Sequence, residues 1–192
     1  SITCVKPSGT VSQLVDSASG IHTRHSPYYI RTIRSDVKDP LCNLLIDSGI
    51  PYEPDTTNPS NVMVFSFPMR SPKYSLTRKD LSAIGQLELH SIYSKFWAEH
   101  KVSQTISVKE EEWISVGSYV FDNFDDISGV SFLPYSDYVY KQAPYTECTK
   151  QEFDTLNKRI PEINWENLLK YEALDRTSGS QELACTAGGC EI

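Results

Sequence analysis

Residues 2–12 read ITCVKPSGTVS, and they predict a short strand at 2–5, a loop, and a helix from about Ser12. The loop offers Ser and Thr hydroxyls, and its glycine lets a ligand or another backbone approach closely. The positive end of a helix dipole follows it, so the loop can form a cradle for an anion. The alternative is an ordinary strand-to-helix turn capped by Ser or Thr. The Walker signature G-x-x-x-x-G-K is absent.

Strands and helices alternate along the rest of the chain. Segments rich in β-branched and aromatic residues predict strands at 28–34, 62–67, 104–108 and 131–133. Helix signals predict helices at 39–46, 77–100, from 110 onward, and from 149 to a point before Pro161. Asp39-Pro40 and the capping box of Thr149 and Glu152 supply two of the helix starts. This alternation predicts an α/β fold with substantially parallel strand pairing.

The predicted helix at 77–100 carries apolar residues at near-helical spacing. This spacing predicts that they form its buried face. They are Leu81, Ile84, Leu89, Ile92, Tyr93 and Phe96. Glu88 lies near this apolar side. It is either a buried carboxylate or, as the better interpretation, a flank residue at the edge of the buried face.

The predicted strand at 28–34 can place Tyr29, Arg31 and Ile33 on one face. Tyr28 and Tyr29 followed by Arg31 and Arg34 can contact a nucleotide. A pleated strand with one solvated face explains these residues equally well.

Composition and charge exclude several classes of protein. The 192 residues (21.7 kDa) are one domain's worth of chain, and none of its apolar runs approaches the roughly 18 residues of a membrane span. A net charge of −7 argues against a nucleic acid polymer as partner, because phosphate backbones require clustered Lys and Arg. Five irregularly spaced cysteines do not form a disulfide framework, which favours a reducing cytoplasm.

Isolated His and Cys residues carry weaker signals. His22-x-x-His25 has a spacing that suits a metal, but neither Cys nor a carboxylate is close in sequence. Two loop histidines are therefore the better interpretation. Cys4, Cys42 and Cys148 are each expected to be small buried or half-buried residues.

The last residues of the chain contain a pair of thiols, Cys185 and Cys190, separated by TAGG. The glycines allow a short Cys-to-Cys ring to close, and the polar stretch 175–182 is typical of a tether. We interpret this tail as a mobile dithiol shuttle. The alternative is a frayed terminus with incidental cysteines, and a structural metal site is disfavoured because no His lies nearby.

The loop PSGTVS and a terminal Cys-x4-Cys pair in one chain form a specific combination. It resembles the large catalytic subunit of ribonucleotide reductases. Further stretches favour the adenosylcobalamin-dependent, monomeric ribonucleoside-triphosphate reductase branch. They are residues 19–22, 27–31, 104–108, 112–113, 129–134 and 140–145.

The resemblance implies a fold and a set of site residues. Residues 1–174 would be the C-terminal part of the family's ten-stranded α/β barrel, and 175–192 a flexible redox-active tail. Cys185 and Cys190 would re-reduce the active-site disulfide and be reduced in turn by thioredoxin or glutaredoxin. The substrate, a nucleoside tri- or diphosphate, would be held by its phosphates on Pro7, Ser8, Gly9, Thr10, Val11 and Ser12.

The resemblance also implies missing parts. None of the cysteines here matches the context of the family's radical-bearing cysteine, so the chain is expected to be inactive without an N-terminal part that shares the adenosylcobalamin. The abrupt start SITCV, without Met, suggests a split gene, a segment after an intein or a truncated piece. Two alternatives stay open: a nucleotide-phosphate-binding module without a redox role, and an inactive reductase fragment. Neither a nucleic acid polymer nor a membrane is expected as a partner.

Overall fold

A computed structural model describes residues 1–135 and 140–173. Its helices are α1 (Val11–Leu14), α2 (Pro40–Asp47), α3 (Ala83–Phe96), α4 (Trp113–Asp122), α5 (Lys150–Asn157) and α6 (Leu168–Glu172). Its strands are β1 (Tyr28–Asp36), β2 (Tyr52–Pro54), β3 (Val62–Arg70), β4 (Gln104–Val108), β5 (Val130–Pro134) and β6 (Tyr145–Glu147). Short 3-10 turns lie at Glu110–Glu112, Phe124–Asp126 and Trp165–Asn167. Across these two ranges, every helix falls short of the length and apolarity that crossing a bilayer demands.

Two compact units make up this structure, and each draws on two separate stretches of chain. The first unit consists of residues 1–27 and 71–135, and the second of residues 28–70 and 140–173. The α/β class is confirmed, because both units combine helices with strands. The predicted boundary between a barrel part and a tail falls at residues outside the described ranges, so it stays a prediction.

The second unit is built on a four-stranded sheet of order β2-β3-β1-β6, and all of its pairings are antiparallel. The long pairing of β1 with β3 runs from Tyr28 opposite Arg70 to Asp36 opposite Val62. The prediction of substantially parallel pairing is therefore wrong for this unit. The chain between β1 and β3 contains α2 and β2 and reverses direction there. A helix between two strands does not by itself set their relative direction, so the alternating pattern could not reveal this.

Helix α2 begins as predicted and ends at Asp47, one residue later than predicted. The Asp39 side chain accepts a hydrogen bond from the Leu41 N–H at 2.8 Å, and Pro40 occupies the first turn. Gly49, just after the helix, has a φ of +81°, a conformation that favours glycine. The helix buries Cys42 and Leu45 in a cluster with Ile50 and Phe65. This cluster is the core of the second unit, where each fully buried Leu or Phe stabilises the fold by about 1.5–3 kcal/mol.

The first unit contains the parallel pairing that the sequence predicts. Strands β4 and β5 run parallel, from Gln104 opposite Val130 to Val108 opposite Pro134. The predicted strand at 2–5 is reduced to one parallel bridge, in which Val5 lies beside Val102. Its amide donates to the Lys101 carbonyl at 2.9 Å, and its carbonyl accepts from Ser103 at 3.0 Å. The core of the unit is the cluster Ala83, Leu87, Ile106, Val108 and Val116.

Helix α3 starts later than predicted. Thr77 and Asp80 form a turn of their own, and Ser82 caps the helix by accepting the Gly85 N–H at 3.1 Å. The predicted buried face is wrong in part, because Ile92 and Phe96 are 54% and 83% exposed. The helix instead buries two apolar and two polar residues: Ala83, Leu87, Gln86 and His90. Glu88 is exposed, which favours the flank interpretation.

The inward face of α3 is set by its packing partners rather than by its apolar spacing. The Gln86 side-chain amide donates to the Ser107 carbonyl in β4 at 3.5 Å. This hydrogen bond gives the buried Gln86 a partner where α3 packs against β4. Burial lowers the pKa of His90, which keeps this fully buried ring neutral. Neither signal is visible in a hydrophobic pattern.

Two other predictions from local chemistry are confirmed. Thr149 and Glu152 form the predicted capping box of α5, with the Thr149 N–H donating to Glu152 at 2.8 Å and the Glu152 N–H donating back to Thr149 Oγ1 at 3.2 Å. Strand β3 is present but continues through Pro68 to Arg70, three residues past the predicted end.

Candidate functional site

The candidate anion loop at 7–12 connects the Val5 bridge to α1. Helix α1 is a single turn of four residues that begins at Val11, close to the predicted start. Ser8 Oγ accepts a hydrogen bond from the Ser12 N–H at 3.2 Å, and the Gln13 N–H donates to the Thr10 carbonyl at 2.9 Å. The loop is therefore closed by its own hydroxyl and backbone groups.

Three successive amide groups of this loop point to no acceptor. Within the described ranges, the N–H groups of Gly9, Thr10 and Val11 donate no hydrogen bond to the protein. All three residues are exposed, and a Cβ at Gly9 would meet no atom within 4 Å. The Ser12 hydroxyl is buried and also has no partner among the described residues. Such an array of free donors is what an anion requires.

A second loop, residues 17–22, packs against the first one and holds its backbone. The Ser19 hydroxyl donates to the Ser8 carbonyl at 2.8 Å. Gly20 has a φ of +56°, and a Cβ there would lie 3.2 Å from the carbonyl oxygen of Lys6 and 3.6 Å from Cα of Pro7. Glycine is therefore required at this position both by the backbone conformation and by the close approach.

His22 uses both ring nitrogens in this support. Nε2 accepts the Thr105 N–H at 2.8 Å, and Nδ1 lies 2.7 Å from the Ser19 carbonyl oxygen. With both nitrogens engaged, His22 and His25 do not form a metal pair in this arrangement. In the part of the chain that the structure describes, no group of three or more His, Cys, Asp or Glu could hold a metal ion.

A cavity of about 360 Å³ lies beside these loops. Its walls are residues 16–18 and 21–24 on one side and Ser75, Leu76, Leu81 and Leu89 on the other. This volume is in the range of small-ligand pockets, roughly 300–1,000 Å³.

Arg24 is the buried charge of the cavity wall, only 4% exposed. It donates to the Ser17 carbonyl at 2.6 Å and pairs with Asp16 at 3.1 Å. The roles of Arg24 and Ser19 were not predictable from the sequence, because a single Arg or Ser in a polar loop carries no pattern.

Arg31 and Arg34, the candidate nucleotide contacts, have partners inside the second unit. The Arg31 guanidinium lies 4.4 Å from the centre of the Tyr145 ring and donates to the Pro144 carbonyl at 3.2 Å. Arg34 pairs with the buried Asp55 at 2.8 Å. The structure thus favours the interpretation of this stretch as a pleated strand.

Gln142 explains part of the stretch 140–145. It adopts a φ of +61°, and its side-chain amide donates to Glu53 Oε1 at 2.9 Å and to the Pro54 carbonyl at 2.8 Å. Its side-chain oxygen accepts the Thr56 N–H at 2.9 Å. This residue fastens the segment before β6 to β2 and the turn that follows it, which is a structural role.

The cysteines differ in environment. Cys42 is fully buried, and burial raises the pKa of its thiol. Cys148 is half-buried, and its pKa is raised by burial first and then by nearby carboxylates. Cys4 is exposed, so the expectation that it is buried or half-buried is wrong: Val5, the next residue, points inward and side chains alternate along an extended segment. Cys185 and Cys190 lie outside the described residues.

Comparison with known proteins gives one consistent result. The chain is 35% identical over 173 residues to a probable adenosylcobalamin-dependent ribonucleoside-triphosphate reductase of Dictyostelium discoideum, over 86% of this chain and 22% of that protein. It is 31% identical over 163 residues to the adenosylcobalamin-dependent ribonucleoside-triphosphate reductase of Euglena gracilis, over 84% of this chain and 22% of that protein. No protein-family model matches the sequence.

A solved structure agrees with these relatives. The crystal structure of a B12-dependent (class II) ribonucleotide reductase superposes with a TM-score of 0.73 at 26% identity, over 92% of this chain and 24% of that one. The chain is therefore homologous to a segment of the ribonucleotide reductases. Within them, it is related to the adenosylcobalamin-dependent ribonucleoside-triphosphate reductases, which confirms the resemblance seen in the sequence. It spans about a quarter of the length of these relatives.

Proposed function

We propose that this chain is the C-terminal segment of a ribonucleotide reductase and supplies its substrate-phosphate loop and its tail dithiol. The observation that carries the proposal is the free N–H array of Gly9, Thr10 and Val11, in a chain homologous to such enzymes. The substrate is a ribonucleoside triphosphate or diphosphate, and the product is the 2′-deoxyribonucleotide.

The proposed role of the loop is to hold the substrate's phosphates. Phosphate oxygens accept hydrogen bonds from the three amides, and the hydroxyls of Ser8 and Thr10 add further donors. Hydrogen bonds to a charged group contribute about 1.5–3 kcal/mol each, enough for such a loop to fix the position of a nucleotide. The net charge of −7 agrees with local anion binding rather than with binding along a polymer.

The proposed role of Cys185 and Cys190 is to carry electrons. Replacing the ribose 2′-hydroxyl by hydrogen releases water and consumes two electrons. Two active-site thiols supply these electrons and become a disulfide. The tail dithiol reduces that disulfide by thiolate attack and becomes a disulfide itself. Thioredoxin or glutaredoxin then restores the two thiols. This part of the proposal is supported by the sequence pattern and by the homology.

The relatives are named for adenosylcobalamin, which we propose as the cofactor of the assembled enzyme, where it supplies the radical that starts the reaction. Among the described residues, the 360 Å³ cavity lies in the size range of small-ligand pockets, which does not single it out for the cofactor. We therefore assign no residue of this chain to the cofactor.

The proposed partner is the N-terminal part of the reductase, which would contain the radical-bearing cysteine. Exposed apolar side chains support a protein partner. Ile114 and Phe121 on α4 are 89% and 83% exposed, and Leu14 on α1 is 85% exposed. Ile114 and Phe121 lie two turns apart on one face of α4, and exposed apolar groups that share a face are typical of an interaction surface. Because the chain spans about a quarter of its relatives, the remaining part of such a reductase is the natural occupant.

The test is reconstitution. This chain is mixed with a matching N-terminal part, adenosylcobalamin and a ribonucleoside triphosphate, and deoxynucleotide formation is assayed with thioredoxin or with dithiothreitol as reductant. We expect turnover with both reductants, and selective loss of the thioredoxin-driven reaction in Cys185→Ser and Cys190→Ser.

Two outcomes would support the alternatives. Equal activity of both Ser variants with either reductant would indicate a phosphate-binding module without a redox role. Failure of the chain to bind or activate the N-terminal part would indicate an inactive fragment.

A further inference from the structure

A chain of four hydrogen bonds joins strand β4 to the candidate phosphate loop. The Thr105 N–H donates to His22 Nε2 at 2.8 Å, and His22 Nδ1 lies 2.7 Å from the Ser19 carbonyl oxygen. The Ser19 hydroxyl donates to the Ser8 carbonyl at 2.8 Å, and Ser8 Oγ accepts the Ser12 N–H at 3.2 Å. Every link lies in the first unit, so one side chain, His22, couples a core strand to the loop.

The chemistry of the two neighbours selects one form of the His22 ring. A backbone N–H can only donate, so Nε2 must be without a proton to accept from Thr105. A carbonyl oxygen can only accept, so Nδ1 must carry the proton that it shares with Ser19. In the other neutral tautomer, a protonated Nε2 would face the Thr105 N–H, and an unprotonated Nδ1 would face the Ser19 carbonyl oxygen, so both hydrogen bonds would be lost. The doubly protonated ring would lose the Thr105 bond.

We propose that His22 in its Nδ1–H form is a positioning residue for residues 8–12 and thereby for the binding of the substrate's phosphates. It does not touch the phosphates; it holds Ser19, and Ser19 holds the backbone of Ser8. This inference rests on the proposed function of the loop and assigns it a residue that the sequence analysis set aside as a loop histidine.

The surroundings of His22 make this coupling specific. His22 also lines the 360 Å³ cavity, so a smaller side chain there would leave open space between β4 and Ser19 rather than a new contact. A Cβ at Gly20 would lie 3.2 Å from the Lys6 carbonyl oxygen, so the loop at 17–22 is packed closely against the chain before Pro7. A change at His22 is therefore expected to move Ser19 and, with it, the free amides of Gly9 and Thr10.

The test compares variants that keep one half of the ring's chemistry. His22→Asn keeps a donor near the position of Nδ1, His22→Gln keeps an acceptor near the position of Nε2, and His22→Ala removes both. His100→Ala is the matched control, because His100 is an exposed histidine of the same unit. Binding of inorganic tripolyphosphate to the chain is measured by calorimetry, and backbone amide signals of residues 8–12 by NMR.

We expect His22→Ala to weaken tripolyphosphate binding about tenfold, with Asn and Gln intermediate and His100→Ala unchanged. In the reconstituted enzyme, KM should rise by a similar factor while kcat changes little. In ¹⁵N spectra of the unmodified chain, His22 should show a protonated Nδ1 and an unprotonated Nε2. This last measurement keeps the inference testable if His22→Ala does not fold.

Three results would overturn it. An Nε2–H tautomer would contradict the hydrogen-bond chain. If the unmodified chain and every His22 variant bind tripolyphosphate with equal affinity, His22 has no positioning role. The proposed function of the loop would stand in that case. No binding by the unmodified chain would remove the loop's proposed function and this inference with it.

Discussion

Arg34 Nε donates to Asp55 Oδ2 at 2.8 Å, and this ion pair fastens β1 to the turn that follows β2. The carboxylate is only 3% exposed, and its other oxygen accepts the N–H groups of Thr57 and Asn58. Burial alone would raise the pKa of Asp55. The hydrogen bonds from Thr57 and Arg34 outweigh burial and hold the pKa well below its usual value.

Asp55→Asn should destabilise the protein at neutral pH by about 2 kcal/mol. This is below the roughly 3–5 kcal/mol of a fully buried pair, since Arg34 keeps some contact with water. A depressed folded-state pKa means that the carboxylate stabilises the fold above its unfolded pKa of about 4. That contribution is lost as the pH falls through the folded-state value. Denaturant unfolding at pH 7 and at progressively lower pH should show the two proteins converging in acid.

The control for this prediction is Asp125→Asn, at an exposed position. It should leave the free energy of unfolding unchanged within about 0.5 kcal/mol. A difference between wild type and Asp55→Asn that stays constant down to strongly acid pH would contradict the ion-pair account.

Gly9 and Gly20 should respond to alanine in opposite ways. Gly20→Ala forces a side chain into a left-handed conformation and 3.2 Å from a carbonyl oxygen, so we expect a loss of about 1–2 kcal/mol in the free energy of unfolding. Gly9→Ala meets no neighbouring atom and should keep full stability, but its methyl group would occupy space that the proposed anion site needs. Thermal unfolding and tripolyphosphate titration of both variants separate the two effects. Unchanged affinity in Gly9→Ala would count against the loop as a phosphate site.

Alkylation should distinguish the described cysteines. Cys4 is exposed, whereas Cys148 and Cys42 combine burial with a raised pKa and therefore hold less thiolate at a given pH. With iodoacetamide at pH 8, mass spectrometry should show modification of Cys4 first, then Cys148, and Cys42 last. The order should vanish in denaturant. Rapid modification of Cys42 in the folded chain would show that the core around α2 opens.

The exposed side of α4 should serve association rather than folding. Ile114→Ser and Phe121→Ser remove highly exposed apolar groups and should leave the melting temperature unchanged. They should weaken binding to the N-terminal part of the reductase at least tenfold, measured by calorimetry. Val116→Ser, at a position 3% exposed on the same helix, is the contrasting variant and should lower stability by about 2 kcal/mol. Undiminished binding by both surface variants would place the contact elsewhere.

Local chemistry made the starts of α2 and α5 predictable, while contacts distant in sequence did not follow from it. The Asp39 cap predicts the start of α2, and the capping box of Thr149 predicts the start of α5. Both are visible in the sequence because the hydrogen-bond partners lie within three residues of each other. The antiparallel direction of β1 and β3 depends on how a 25-residue connection turns, from residue 37 to 61, which no local pattern specifies. The buried face of α3 depends on its contacts with β4, such as the hydrogen bond from Gln86 to the Ser107 carbonyl.

The candidate site shows the same division. The loop at 7–12 was recognisable because its Gly and hydroxyls are contiguous, and the homology agrees with the family named from it. The partners of His22 could not be predicted, because Thr105 is 83 residues away in the chain. The dithiol tail remains a prediction from the sequence.

The interleaving of the two units has a consequence for biosynthesis. The chain leaves the first unit after residue 27, returns to it at 71, and passes to the second unit again beyond residue 135. A ribosome working from the N-terminus releases β5 and β6, the last described strands of the two units, only after every other described strand. Neither unit can finish folding before these strands are made, so a nascent chain halted at residue 100 would hold two unfinished cores.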